Sequence, residues 1–305
     1  MDQQETAWFD KLLLQNKPGG SPGGHAEETE VVMNINSVEL IYFSPTRTIK
    51  KIVEGIARGI HADGIRHHDL TYPSASVKQP HSCGCDLAII GAPVYAGRLP
   101  ETMISRFKPV KGHATPAVIV VVYGNRAYED ALLELHDLVS GAGFIPVAAA
   151  AFIGEHSYAT KEFPIAAGRP DLEDIQKAGA FGEMVREKVS KIIDSGHICP
   201  PRPPGNFPYR EARILSGVSP SVDGDLCTGC MVCIPSCPTS ALREDAPPTI
   251  DKNLCIRCAA CIKSCPDGAI TMNDPGIRQI AEFLFKNCPD RKEPEIHMGA
   301  APLFP

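Results

Sequence analysis

The chain contains two runs of four cysteines that have the same internal spacing. Both runs read C-x2-C-x2-C-x3-C-P, in the segments CTGCMVCIPSCP and CIRCAACIKSCP, and the second follows the first by 28 positions. This spacing is the ligand pattern of a protein that holds two [4Fe–4S] clusters. The eight cysteines are Cys227, Cys230, Cys233 and Cys237 in the first run and Cys255, Cys258, Cys261 and Cys265 in the second.

Zinc and disulfides are the two rival explanations of these cysteines. Structural zinc sites are tetrahedral and usually join two close pairs of ligands across a spacer, whereas three cysteines spaced x2-x2 suit a cluster whose irons are spread over several ångströms. Disulfide frameworks are typical of small secreted domains. The repeated run ending in Cys-Pro therefore favours iron–sulfur clusters.

In this pattern the fourth cysteine of each run binds the cluster of the other run. The two predicted ligand sets are Cys227, Cys230, Cys233 and Cys265 for one cluster, and Cys255, Cys258, Cys261 and Cys237 for the other. Because a module of this size cannot build a large core, we expect it to unfold when the metal is released.

Composition and charge restrict the remaining classes of protein. The chain has 305 residues, 43% of them hydrophobic, and a formal net charge of −6. No apolar stretch is long enough for a membrane helix, and the N-terminal residues lack the pattern of a secretory signal. A negative net charge argues against nucleic acid as a partner and favours a basic redox protein. We expect a cytoplasmic protein that has no membrane span.

Changes in composition along the chain predict five segments. The expected boundaries are a flexible Gly/Pro-rich leader over 1–36, an α/β domain over 37–196, a Pro-rich linker over 197–219, a small α+β two-cluster ferredoxin module over 220–275, and a C-terminal helix and tail over 276–305. We expect the tail beyond Pro289 to be loose. The helix that precedes it, from Gly276 to Asn287, is amphipathic and could cover a cluster or the α/β domain.

Short apolar runs alternate with helical patterns in the first half of the chain. Such alternation predicts βαβ units, a parallel sheet and a doubly wound α/β domain. The predicted strands are 38–43, 86–95, 117–125 and 143–154, and the predicted helices are 48–60, 101–107, 128–143 and 171–195. A further strand is expected at His67 and His68, which we expect to face solvent on one side and not to act as ligands.

Three loops follow predicted strands, where ligands of open parallel sheets bind. The first, SPTRTIKK (44–51), offers hydroxyl groups and backbone N–H groups at a helix N-terminus, which suits a phosphate. The second, APVYAGRLP (92–100), and the third, YGNRAYED (123–130), carry tyrosines. A phosphate loop with two aromatic loops indicates flavin mononucleotide (FMN). No dinucleotide fingerprint and no Walker A sequence occur, since GAGFIP lacks the third glycine and follows a helix.

The order strand–SPT–helix, PVYAGRLP, YGNRAYEDAL and a two-cluster module resembles the flavodoxin-like/bacterial ferredoxin fusion proteins of anaerobic bacteria and archaea, over residues 38–275. The stretch HSYATKEFPIAAGRPD (156–171) is similar to the same family. The resemblance implies a flavodoxin-like sheet with strand order 2-1-3-4-5. It also implies FMN contacts. These are Ser44, Thr46 and Thr48 for the phosphate, Tyr95 with Tyr123 or Tyr128 flanking the ring, and Pro93, Gly97 and Asn125 in the same loops.

Two residues depart from the flavodoxin pattern S/T-x-T-G-x-T. Arg47 stands where flavodoxins have glycine, so it either adds a charge to the phosphate site or obstructs the backbone conformation that glycine allows. Ile49 stands in place of the final threonine and removes a hydroxyl group. These departures leave open a domain that binds no flavin.

Other candidates carry weaker signals. Cys83 and Cys85 form a C-x-C in HSCGCD that could be redox-active or bind a metal, although an incidental pair of free thiols is the simpler interpretation. Cys199 and Cys288 are expected to be ordinary thiols. Arg98 either meets an anionic substrate or reduced flavin, or is a surface arginine.

The sequence predicts an electron-transfer protein in which low-potential [4Fe–4S] clusters exchange electrons with FMN, within one chain or across a homodimer. One alternative is an FMN-dependent reductase of an unidentified substrate that is fed by the clusters. The other is a ferredoxin joined to a flavin-free docking domain. The oxygen sensitivity of exposed clusters indicates an anaerobic or micro-oxic setting.

Overall fold

The computed structural model describes residues 34–73, 81–191, 198–212 and 217–299. The predicted leader lies almost entirely outside these residues. In the α/β half the elements are β1 Ser37–Tyr42, α1 Thr48–Ile60, β2 Gly64–Asp69, β3 His81–Ser82, β4 Leu87–Pro93, α2 Glu101–Phe107, β5 Val110–Lys111, β6 Thr115–Tyr123, α3 Ala131–Gly141, β7 Phe144–Ile153 and α4 Leu172–Ser190. They are followed by β8 Ser221–Val222, α5 Cys233–Ser236, β9 Leu242–Arg243, β10 Thr249–Ile250, α6 Ala260–Ser264, β11 Ile270–Thr271, α7 Pro275–Asn287 and β12 Glu295–His297.

The main sheet has the order β12-β7-β6-β4-β1-β2. Five of its strands, namely β2, β1, β4, β6 and β7, are parallel to one another. Numbered among themselves, these strands have the order 2-1-3-4-5, which is the doubly wound order of flavodoxin-like folds. The predicted fold class is therefore confirmed.

Helices cover both faces of the sheet. One buried cluster joins alternate strand residues such as Ile90 and Ile119 to Leu132 and Leu135 of α3. The other joins the intervening strand residues to α1 and α4, with Phe152 of β7 against Phe181 of α4. Strands buried on both faces read as continuous apolar runs, which is why the sequence signals them clearly.

The helices α1 and α4 pack so closely that two glycines are required between them. A Cβ atom on Gly59 would lie 1.9 Å from the carbonyl oxygen of Gly179, and one on Gly182 would lie 2.1 Å from that of Ile56. Backbone therefore meets backbone where these two helices cross.

The C-terminal segment differs from its prediction. The structure places β12 antiparallel to β7, with Glu295 opposite Ala151 and His297 opposite Ala149. The expectation that the chain is loose beyond Pro289 is therefore wrong. The free edge of β7 supplies unpaired backbone groups that the tail can bond, a pairing that leaves no periodic signal in so short a strand.

The cysteine-rich half repeats its local structure as well as its sequence. The elements β8 and β9 recur 28 positions later as β10 and β11, and α5 recurs as the last four residues of α6. Left-handed residues recur at the same interval, as at Met231 and Ala259. The hydroxyls of Ser236 and Ser264, which are equivalent positions, lie 3.0 Å apart. Two pseudo-equivalent halves therefore meet at this pair. Within the described ranges, no helix is long and apolar enough to cross a membrane.

Candidate functional site

The structure brings the eight run cysteines together in two sets, and each set takes one residue from the opposite run. A small cavity is lined by Cys227, Cys230, Cys233 and Cys265. In the second set, Cys237 lies beside Cys255, Cys258 and Cys261. These are the two groupings that the repeat predicts.

The two cysteine sets differ in exposure. Cys230 of the first set is exposed, whereas its counterpart Cys258 in the second set is buried. Burial raises the pKa of the Cys258 thiol to about 12. Thiolates in such a buried place need a positively charged group beside them, and the iron atoms of a cluster would supply that charge. The backbone N–H of Ala241 donates to Cys237 Sγ at 3.2 Å, an interaction that also favours a thiolate.

The first loop of the α/β half has the form of an anion site. Ser44 Oγ accepts from the backbone N–H of Lys50 at 3.1 Å, which fixes the loop against the first turn of α1. The hydroxyl oxygens of Thr46 and Thr48 lie 3.4 Å apart at the start of the helix. Among the described residues, the backbone N–H groups of Thr46, Thr48 and Ile49 have no hydrogen-bond acceptor. Unpaired N–H groups at a helix N-terminus attract anions.

The two departures from the flavodoxin pattern have different structural consequences. Arg47 is exposed and left-handed, with φ 63° and ψ 6°, so the backbone keeps the conformation that glycine would adopt. A non-glycine residue held there costs about 1 kcal/mol or more, and such strain is typical of functional loops. Ile49 is fully buried, and a Cβ atom added to Gly91 would meet its Cγ2 at 2.5 Å. Its side chain therefore belongs to the core.

The second loop is a tight turn in which Tyr95 and Arg98 exchange backbone hydrogen bonds of 2.9 and 3.1 Å. Ala96 and Gly97, between them, both have positive φ. Gly97 also faces Glu129, whose Oε2 would lie 1.9 Å from an added Cβ atom. Burial raises the pKa of Tyr95 well above its ordinary value, and Cys258 is among its neighbours. The turn therefore holds Tyr95 beside the second cysteine set.

The third loop is placed differently from its prediction. Tyr123 ends β6, and its ring packs edge-on against Tyr128, with 5.5 Å between the centroids. Tyr128 Oη donates to Glu295 Oε2 at 2.6 Å, and Asn125 Nδ2 donates to the carbonyl oxygens of Cys288 and Asp290. Asn125 and Tyr128 thus fasten the C-terminal tail to the sheet.

One cavity of about 920 Å³ lies at the carboxyl ends of the strands. It is walled by Thr46 and Thr48, by residues 93–100 of the second loop, by Tyr123, and by residues 154–158 that follow β7. Asn125 and Tyr128 are not part of its wall. This volume is within the usual range of ligand sites, about 300–1,000 Å³.

The cysteine-rich module forms another wall of the same cavity. Leu254 and Ile256, which flank Cys255 in the chain, both line it. Ile256 also packs against the core of the α/β half. The phosphate-type loop and the residues on either side of Cys255 therefore line the same cavity.

Two side chains attach the module to the α/β half. The guanidinium of Arg106 in α2 donates to the carbonyl oxygens of Leu70, Thr71 and Pro238. Lys263 Nζ donates to Glu155 Oε1 at 2.6 Å. Because Pro238 directly follows Cys237, the first of these attachments positions the second cysteine set.

Several cavity residues were not singled out from the sequence. His156 lines the cavity, and burial lowers its pKa to about 4, so the ring is neutral near pH 7. Its Nδ1 accepts from the backbone N–H of Tyr158 at 3.0 Å. Burial raises the pKa of Tyr158, and neighbouring Arg257 partly offsets this effect. The triplet HSY (156–158) was the sequence feature that could have identified His156 and Tyr158. The helix α7 adds Phe283 and its neighbours to the wall.

Arg98 is committed to structure. Its guanidinium forms a bidentate pair with Glu134, at 2.8 and 2.6 Å, and donates to the carbonyl oxygen of Arg210. The carboxylate of Asp130 accepts from the backbone N–H groups of Asn206 and Arg210. The Pro-rich connector is thus bound along α3 over this stretch.

The remaining cysteines include one surprise. Cys83 and Cys85 are joined by a disulfide, with 5.7 Å between their Cα atoms, so the expectation of two free thiols is wrong for this pair. Cys199 and Cys288 are free. A two-residue separation carries no sequence signal that distinguishes a disulfide from a pair of thiols.

Comparison with known proteins identifies the module. Residues 226–270 match the family described as 4Fe-4S dicluster domain. No curated protein matches the chain. Among solved structures, a flavodoxin from the domain Archaea is 14% identical, with a TM-score of 0.32 over 50% of this chain and 98% of that one.

Two further flavodoxins cover the same half of the chain. The Streptococcus pneumonia TIGR4 flavodoxin is 15% identical, with a TM-score of 0.35 over 50% of this chain and 99% of that one. The Fusobacterium nucleatum flavodoxin, solved bound to flavin mononucleotide, is 14% identical, with a TM-score of 0.36 over 50% of this chain and 97% of that one.

The sheet order and the dicluster match together define the class of protein. The chain combines a flavodoxin-like fold with an iron–sulfur domain, and together these suggest an electron-transfer role. Such a role implies redox partners.

Proposed function

We propose that the chain passes low-potential electrons between two [4Fe–4S] clusters and FMN. The observation that carries this proposal is the shared cavity, walled by Thr46 and Thr48 on one side and by Leu254 and Ile256 beside Cys255 on another. When bound, the clusters would supply one-electron chemistry, and FMN would accept one or two electrons.

The residues around the cavity fit FMN at the phosphate end. Unpaired N–H groups and the hydroxyls of Thr46 and Thr48 would hold the phosphate, and Ser44 would brace the loop through its bond to Lys50. The left-handed Arg47 keeps the loop open and adds a positive charge nearby. These features favour a flavin-binding domain over the flavin-free alternative.

At the ring end, Pro93 and Tyr95 would form one side of the site, with Tyr123 on the strand behind it and Gly97 setting the turn. Asn125 and Tyr128 would act from outside the cavity by holding the tail in place. Tyr95 would lie between the flavin and Cys258.

The exposed first cysteine set is the proposed entry point for electrons. Leu226, which precedes Cys227, and Val232, which lies between Cys230 and Cys233, are 53% and 47% exposed. Asp225 and Asp267 are exposed acidic residues in the same part of the module. An apolar patch with acidic neighbours suits transient docking of a basic redox protein. We also propose that the protein is cytoplasmic and acts as one copy or as a homodimer.

The reductase alternative has less support. It would place an organic substrate over Arg98 and the 156–170 segment. Residues 156–158 line the cavity, but Arg98 is already paired with Glu134. A substrate-dependent reoxidation of the reduced protein would favour the reductase over the carrier.

Anaerobic purification followed by quantification of iron, sulfide and FMN tests the proposed cofactors. We expect about eight iron atoms and eight sulfides per chain, as two four-iron clusters require, and one FMN. Titration with dithionite, followed by EPR and visible spectra, should then show that the clusters and the flavin both become reduced. Protein that holds both clusters yet releases no FMN on acid extraction would instead favour the docking domain.

A further inference from the structure

A second group of metal-binding side chains lies at the edge of the sheet, separate from the run cysteines. Its centre is Glu39 of β1. One oxygen of Glu39, one nitrogen of His68 and one of His81 all lie within 4.8 Å of one another, and Glu39 forms a similar group with the sulfurs of Cys83 and Cys85. The carboxylate of Glu39 therefore belongs to two groups, one with two histidines and one with two cysteines.

The carboxylate of Glu39 is buried at a position where charge is costly. Its side chain is 5% exposed. His81 Nε2 lies 2.5 Å from Glu39 Oε1, and a guanidinium nitrogen of Arg66 lies 4.0 Å from Oε2. A buried carboxylate normally requires a fully paired cation or a metal ion. Only one close partner is supplied by the described residues.

His68 provides an independent observation. Its Nε2 is buried and has no hydrogen-bond partner among the described residues. The rings of His68 and His81 face each other, with 4.0 Å between their centroids. Leaving a buried ring nitrogen without a partner destabilises the fold, and a bound metal ion would remove this cost.

The donor atoms indicate which metal. Two imidazoles and one carboxylate form a ligand set that zinc uses in proteins. Magnesium and calcium prefer oxygen ligands and are therefore disfavoured.

We propose that Glu39, His68 and His81 bind one Zn²⁺ ion, whose fourth ligand would be a water molecule. This site would be independent of the iron–sulfur clusters.

The test measures zinc on anaerobically purified protein that carries its full iron content. Zinc titration followed by metal analysis should give one zinc per chain without loss of iron. Zinc-edge X-ray absorption should then show nitrogen and oxygen neighbours at about 2.0–2.2 Å, as zinc–histidine and zinc–carboxylate bonds require. Sulfur neighbours at about 2.3 Å would mean that the zinc binds cysteines instead, and would contradict this ligand set.

Variants locate the site. His68→Ala and His81→Ala should each weaken zinc binding at least about tenfold. Glu39→Gln, which keeps the shape of the side chain, should do the same if an alanine variant fails to fold. The control is His136→Ala, because His136 lies on α3 and is bonded to Asp137. Zinc that binds equally well to the site variants and the control, or zinc that binds only as iron is lost, would overturn the proposal.

Discussion

In the α/β half, buried aliphatic and aromatic side chains cover both faces of a parallel sheet. In the cysteine-rich half, the buried cluster is Cys233, Cys237 and Cys261 with three small or aliphatic residues, Ala241, Leu242 and Ile270. The first half has enough apolar surface to fold without a cofactor, whereas the second depends on what its cysteines bind. Cofactor loss should therefore affect the two halves unequally.

The largest effect should follow from removal of iron. We expect anaerobic chelation to unfold the module of residues 220–275 while the sheet remains folded, because ligand bonds take the place of a core in that module. Hydrogen exchange measured by mass spectrometry should show protection lost in the module and kept in β4, β6 and β7. Equal protection of the module before and after iron loss would remove the distinction between the halves.

A substitution in the α/β half should have the opposite pattern. Gly59→Ala places a Cβ atom against the backbone of α4, so we expect the free energy of unfolding to fall by about 1–3 kcal/mol. The midpoint of urea unfolding, followed by circular dichroism, should move to a lower urea concentration. The visible absorbance of the clusters before denaturant is added should not change.

The matched control for this substitution is Gly141→Ala, since nothing lies within 4 Å of a Cβ atom there. We expect Gly141→Ala to be neutral or slightly stabilising. If both substitutions destabilise the protein equally, helix packing between α1 and α4 is not what requires Gly59.

The two halves also differ in how far the sequence predicts them. Cysteine spacing specified both ligand sets and their exchange, because covalent ligand geometry tolerates few arrangements. Apolar runs predicted most of the sheet, since strands buried on both faces carry few polar residues. The pairing of β12 with β7 and the use of Asn125 to hold the tail depend on contacts between residues more than 140 positions apart, for which local patterns give no signal.

The same limit applies within the candidate site. The first loop was located because hydroxyls and a helix start are adjacent in sequence. The sequence did not predict that Ile256 lines the cavity. Ile256 lies far from Thr46 along the chain, and the CIRC run signals only the cluster ligands. From the sequence, Arg47 could either add a charge to the phosphate site or obstruct the loop backbone. Its left-handed conformation in the structure shows that the loop keeps its shape.

A smaller effect is expected for the phosphate loop. Thr46→Val should weaken FMN binding about 10- to 100-fold, because a hydrogen bond to a charged group contributes about 1.5–3 kcal/mol. Titration of the FMN-free protein, followed by flavin fluorescence, measures this change. Thr160→Val, in an exposed loop, is the control. Identical affinity in the wild type and both variants would place the phosphate elsewhere.

The smallest effect should come from the ion pair between the halves. Lys263→Ala removes the contact with Glu155, and both side chains are partly exposed, so we expect a loss of no more than about 1 kcal/mol. Arg106→Ala should cost more, since three carbonyl oxygens lose their donor. Urea unfolding followed by cluster absorbance compares the two variants. A larger loss for Lys263→Ala would mean that the ion pair is the main attachment.

The central claim is that electrons move between the second cluster and a flavin in the shared cavity. Flash photoreduction of the anaerobic protein tests it, by following the EPR signal of the clusters and the visible band of the flavin. We predict a phase whose rate does not depend on protein concentration, and we predict that Cys258→Ser abolishes it while FMN stays bound. Flavin reduction whose rate rises in proportion to protein concentration, and which is unchanged in Cys258→Ser, would contradict the account.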